Sequence, residues 1–161
     1  MKDRIIWNKE IVMLFRPLTK CIPMSLLASA FALTTAFAGE YMSVIKDGVN
    51  LRSGPNTNAE ILFQLPVGYP LEVLSKEGQW LKVSDYEGDK GYIQESLVNK
   101  TPHVIVKVKE CKVRSGPGAN EKVVGNGVKD VIFTKNEQKG DWIKVTHPDL
   151  TGWVHKDLVW P

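Results

Sequence analysis

Beyond residue 38, apolar residues recur at every second position over short runs. Val49 and Leu51, Leu71 and Val73, and Leu81 and Val83 do so in the first half; Val104, Val106 and Val108, then Val131 and Phe133, then Ile143 and Val145 do so in the second. A β-strand sends successive side chains to opposite faces, so period two marks strands with one buried face. Turn-forming clusters separate the runs: Ser53-Gly54-Pro55, Val67-Gly68, Glu77-Gly78 and Glu87-Gly88-Asp89, then Ser115-Gly116-Pro117, Lys139-Gly140-Asp141 and His147-Pro148-Asp149. No long helical period crosses them. The pattern predicts an all-β chain.

Residues 1–38 have a different pattern. Lys2, Arg4, Lys9, Arg16 and Lys20 precede an uncharged apolar run from Cys21 to Phe37, which closes on Ala36-Phe37-Ala38. A basic flank, an apolar stretch and small residues at the −3 and −1 positions predict a secretory signal peptide. Met13 offers an alternative start that leaves Arg16 and Lys20 as a compact basic flank. A retained membrane anchor is the competing reading. It is disfavoured because the run is short for a span and Pro23, Ser25, Ser29, Thr34 and Thr35 dilute it. Lys20 before Cys21 argues against a lipoprotein cleavage site.

The two halves of the remainder repeat. Val49-Asn50-Leu51-Arg52-Ser53-Gly54-Pro55 aligns with Cys111-Lys112-Val113-Arg114-Ser115-Gly116-Pro117, Trp80-Leu81-Lys82-Val83 with Trp142-Ile143-Lys144-Val145, Gly91-Tyr92-Ile93 with Gly152-Trp153-Val154, and Leu97-Val98 with Leu158-Val159. Arginine to tryptophan spans 28 residues in both halves, and glycine to leucine spans 6. An offset of about 62 residues fits tandem small domains rather than a solenoid. The expected boundaries are 1–38 for the signal peptide, 41–100 for the first domain and 103–161 for the second, with Asn99-Lys100-Thr101-Pro102 at the linker. A unit of about 60 residues buries only a modest core. The expectation is therefore a small barrel of about five short strands, which leaves few exposed edges.

These motifs resemble bacterial SH3-like (SH3b) domains. The resemblance covers roughly residues 44–99 and 106–160 and rests on the Arg-Ser-Gly-Pro, Trp-x-Lys-Val and Gly-aromatic segments in the same order. It implies two tandem SH3-like β-barrels and an exported bacterial protein, periplasmic or secreted. Such domains often serve as wall-binding or peptide-binding appendages to hydrolases. Gly91-Tyr92-Ile93 is also similar to a strand of eukaryotic SH3 domains. However, Gln94 and Leu97, with His155 and Leu158 in the second unit, stand where that family carries its proline and second tyrosine. Binding of proline-rich helices is therefore not expected.

Charge and chemistry narrow the function. The chain carries 21 Lys and Arg against 18 Asp and Glu; loss of residues 1–38 removes five cations and two anions, leaving 16 of each. A neutral mature chain gives no general support for nucleic-acid binding, and Lys107, Lys109, Lys112 and Arg114 read as a solvated strand face. Trp80 and Trp142 fall on the face opposite Leu81, Val83, Ile143 and Val145. Together with Tyr92, Trp153 and Tyr86 they form the candidate ligand-binding set. Large amphipathic rings on an outward face suit a peptide or sugar, whereas a purely structural role would have them cover an open end of the fold. Arg52 and Arg114 are expected to tie down turns through backbone carbonyls. Cys111 is the one cysteine beyond residue 38, in a pattern that predicts a small buried thiol. No metal-ligand spacing, phosphate loop or nucleophile motif is present. The sequence thus predicts a non-enzymatic exported module without cofactor or metal that recognises peptidoglycan or its stem peptides. The alternative is an adaptor for an envelope enzyme or receptor. A third reading, a small hydrolase, would have to rest on Cys111 or His155.

Overall fold

The structure is a computed structural model that describes residues 39–161. The expected signal segment lies outside the described residues.

Alternation decides the strands. In the first domain these are β1 (Glu40–Val44), β2 (Val49–Arg52), β3 (Ile61–Leu65), β4 (Pro70–Glu77), β5 (Trp80–Ser84), β6 (Lys90–Gln94) and β7 (Val98–Asn99). The second has β8 (His103–Val106), β9 (Glu110–Arg114), β10 (Val123–Val128), β11 (Ile132–Lys139), β12 (Trp142–His147), β13 (Leu150–His155) and β14 (Val159–Trp160). Each set forms one seven-stranded antiparallel sheet, ordered β3-β2-β6-β5-β4-β1-β7 and β10-β9-β13-β12-β11-β8-β14. The two orders are identical position by position, as the repeat requires. A single 3-10 turn precedes the last strand of each, at Glu95–Leu97 and Lys156–Leu158.

Each domain has its own core. All seven strands of the first contribute, with Val44, Val49, Leu51, Leu65, Leu71, Val73, Leu81, Val83, Ile93 and Val98 buried together. The second is built on Val104, Val106, Cys111, Val113, Phe133, Ile143, Val145, Val154 and Val159. A sheet whose strands all feed one cluster must bend around it. The long strands β4 and β11 each carry an irregularity, where the register shifts opposite β5 between Val73 and Ser75 and opposite β12 between Lys135 and Glu137. The extra residue of a bulge increases twist locally. It lets β4 pair with β1 at one end and β5 at the other.

Two expectations need correction. Each domain has seven strands rather than about five. In addition, no ladder joins β3 to β7 or β10 to β14 among the described residues, so each sheet keeps two edges instead of closing. The short strands β1 and β7 account for much of the first difference. They are completed by pairing with each other at Ser43–Asn99 and Val44–Val98, a contact between the two ends of the domain that no local pattern announces.

The domains touch along one side. The rings of Tyr41 and Trp160 meet edge to face, with centroids 5.3 Å apart. Lys129 pairs with Glu87 at 2.9 Å, and the Tyr86 hydroxyl donates to Asp130 Oδ1. Gly68, at φ +77, approaches His103 so closely that a Cβ there would lie 3.0 Å from its ring.

Candidate functional site

The sheet register places the outward aromatics. On β5 and β6, Trp80 stands opposite Gln94, and Lys82 opposite Tyr92. All four lie on the face away from Leu81, Val83 and Ile93, which are buried. Trp80 is half-buried and forms one wall of a cleft of about 230 Å³ between the β1–β2 turn and β6. Lys46, Asn50, Arg52, Thr57 and Gln94 contribute its polar groups. Asn50 Oδ1 is shielded from solvent and has no hydrogen-bond partner. Sequence reasoning did not find Lys46, Asn50 or Gln94 as members of this cleft.

Arg52 shapes the cleft floor. Its Nη1 donates to Ala59 O at 2.8 Å, and Arg114 Nη1 makes the equivalent bond to Glu121 O, also at 2.8 Å. The adjacent turn closes through Ser53 N–H to Glu60 O in one domain and Ser115 N–H to Lys122 O in the other. The Arg-Ser-Gly-Pro motif is thus a loop clasp. A charged donor on a carbonyl is stronger than a neutral one, which suits a loop with few apolar contacts.

The second domain differs at the same place. Trp142 is met edge-on by His155, with ring centroids 5.3 Å apart and planes at 90°. His155 also approaches Asp157, Nδ1 to Oδ2 at 3.5 Å. Lys112 replaces Asn50, and Val108 replaces Lys46.

The remaining candidates divide. Tyr92 is half-buried, with Lys82 Nζ 6.0 Å from its ring centroid, and its hydroxyl donates to Glu77 at 3.2 Å. Desolvation and that bond hold its phenol above the usual range. Trp153, expected on the outer patch, is buried at 6% exposure. It sits on the central strand β13, opposite Arg114 on one side and Lys144 on the other, and Lys139 Nζ lies 5.5 Å from its ring. The stems of flanking cations cover an outward ring as effectively as a core does. Tyr86 is also misplaced by sequence reasoning: its hydroxyl engages Asp130 of the second domain and Lys129 lies over its ring, so it belongs to the domain junction and not to the Trp80 cleft.

Cys111 is buried against Gly127 and Phe133, and desolvation raises its thiol pKa. The thiolate is the nucleophile, so a raised pKa and lack of access both suppress reactivity. With Ellman's reagent at pH 8 the native thiol is expected to react at least about a hundredfold more slowly than free cysteine, becoming fully reactive in denaturant. A native rate near that of free cysteine would contradict the placement. Among the described residues no three His, Cys, Asp or Glu side chains gather to hold a metal ion, and no described helix is long and apolar enough to cross a membrane.

Two small antiparallel sheets with identical strand order, each carrying an arginine-clasped loop and an outward tryptophan, define tandem SH3-like modules. The chain belongs to the bacterial SH3 domain family, whose descriptions match residues 47–99 and again residues 107–161. A Bacillus subtilis (strain 168) relative, YrvJ, named a candidate N-acetylmuramoyl-L-alanine amidase, is 26% identical over 146 residues, covering 84% of this chain. The chain spans only 28% of the length of YrvJ. Among solved structures, NlpC2 from Trichomonas vaginalis is 14% identical, with a TM-score of 0.34 over 80% of this chain and 46% of that one. An NlpC/P60 family protein from Bacillus cereus ATCC 10987 is also 14% identical, with a TM-score of 0.36 over 75% of this chain and 56% of that one. Likeness at that level bears on neither substrate nor activity.

The expectation that the chain is not an enzyme is corrected by the sequence relative: YrvJ, which matches 84% of this chain, is named a candidate amidase, so a catalytic role is not excluded. Sequence reasoning excluded catalysis because no catalytic motif stands in the chain. A fold of this kind does not by itself fix function, so the lack of a catalytic motif within these two domains does not exclude catalysis.

Proposed function

We propose that this is an exported bacterial envelope protein whose two SH3 domains bind peptidoglycan in the service of wall-amide hydrolysis. The alignment of both domains with the amidase relative carries this reading. In it, residues 1–38 are the export signal, and 41–100 and 103–161 are the two binding domains. Trp80, Tyr92 and Trp142 provide the outward surface that meets the wall. Two linked weak sites raise the effective concentration of each for its neighbouring ligand, so hydrolytic chemistry stays on its insoluble substrate.

The full chain is expected to co-sediment saturably with washed, protein-free sacculi and to remain bound at moderate salt, because ring stacking and short hydrogen bonds are screened less than long-range charge attraction. Absence of sedimentation by folded protein would reject wall binding. One observation favours the second reading, an adaptor for an envelope protein: the edge strand β3 leaves Ile61, Leu62 and Phe63 exposed. An open apolar edge can accept a partner strand. Capture of a defined envelope protein, lost on Phe63→Lys, would select it.

A further inference from the structure

We infer that the two domains are not equivalent: the Trp80 cleft of the first is built for the terminal carboxylate of a peptidoglycan stem peptide, whereas Trp142 of the second meets the wall without taking that carboxylate. This rests on the wall-binding reading above and names its site and ligand group. Among the described residues, neither Lys46 nor Arg52 is paired with a carboxylate, and no Asp or Glu lines the cleft. Two unneutralised cations in one concavity favour an anion. Arg52 spends one nitrogen on Ala59 O and keeps its other donors. Asn50 Oδ1, shielded and unpartnered, lacks a donor. The Asn50 side chain lines the cleft, and turning its amide so that this oxygen meets a ligand N–H replaces a costly unpaired state with a hydrogen bond. Trp80 adds an apolar wall. An anionic end, a neighbouring amide N–H and a small apolar side chain are the three features of a peptide C-terminus.

The second domain lacks this combination. Lys112 stands in place of Asn50 and Val108 in place of Lys46, and His155 occupies the edge of the Trp142 ring. The same motif therefore presents a platform in one domain and a packed pair in the other.

The test titrates diacetyl-Lys-D-Ala-D-Ala into the full chain, following the tryptophan indole N–H resonances, with its C-terminal amide and its L,L-isomer as comparators. Expected is saturable binding that moves the Trp80 resonance and weakens about tenfold for the amide and in Lys46→Gln. Trp80→Ala is expected to abolish it, and Trp142→Ala to leave it within about twofold. Lys46→Gln guards against a folding artefact, because Lys46 is exposed in the β1–β2 turn. Equal binding of acid and amide, or equal loss in Trp80→Ala and Trp142→Ala, overturns the inference. An L,L-isomer that binds as tightly overturns the wall stem as the source. Sacculus binding with no response to the tripeptide leaves wall binding intact and removes the cleft. Tripeptide binding at Trp80 without sacculus binding keeps the cleft and removes the wall.

Discussion

Replacing Phe133 by alanine is expected to cost about 3–5 kcal/mol and to unfold the second domain ahead of the first. Among the described residues Phe133 is the largest fully buried side chain. Its neighbours in that core are mainly valines, with Cys111 and Ile143. Valine has one stiff side-chain torsion and cannot swing in to fill a phenyl-sized void. Gly127 leaves room for the ring, since a Cβ there would lie 3.1 Å from it. The space beside the ring is therefore shaped for the ring alone. A domain of this size has only several kcal/mol of stability in total, so the loss is of the same order as the whole. The first core shares none of these residues. Urea unfolding followed by circular dichroism should then change from one transition to two. Tripeptide binding at Trp80 should persist between them. A single transition that moves as a whole would instead mean that the contacts of Tyr86 with Asp130 and Lys129 with Glu87 couple the domains into one cooperative unit.

Gly152→Ala is expected to cost about 3 kcal/mol or more, at or beyond the upper end for overpacking. An added Cβ would stand 2.6 Å from both Arg114 O and Val113 Cγ1. The carbonyl cannot move away cheaply, because Arg114 is the one residue of β9 whose ladder pairing joins that strand to β13. Gly91 repeats the geometry, 2.6 Å from Leu51 Cγ and 3.0 Å from Arg52 O. Gly140→Ala is the control. Nothing lies within 4 Å of its would-be Cβ, and only its φ of +57 resists a side chain, at about 1 kcal/mol. Thermal melts of the two variants decide the point: similar losses would show that backbone freedom, not close strand approach, is what the Gly-aromatic motif supplies.

Strands with one buried face were legible because their pattern is local. Val49 with Leu51 and Leu81 with Val83 alternate with polar residues, and all four are buried. Strand β3 escaped for a physical reason. Ile61, Leu62 and Phe63 do not alternate, and all three are exposed on a sheet edge, so no solvent boundary is printed in their order. The cleft was half legible. Trp80 follows from strand parity, but Lys46, Asn50 and Gln94 come from a turn and two other strands. Their convergence depends on the order β2-β6-β5, which sets strands distant in the chain side by side.

The all-β class, the tandem organisation and the arginine-clasped loops are written in the order of residues, since each depends on neighbours along the chain or on a spacing that recurs. Which outward rings are open is set by packing between strands distant in the chain. Parity assigns a face and not an exposure. Trp80 and Trp153 both point away from a core, yet Trp153 is covered by cations from β9, β11 and β12, whereas Trp80 borders a cleft. Tyr86 meets Asp130, a residue 44 positions away in another domain. That contact arises from the docking of two separately built sheets, and the order of residues within either one does not contain it.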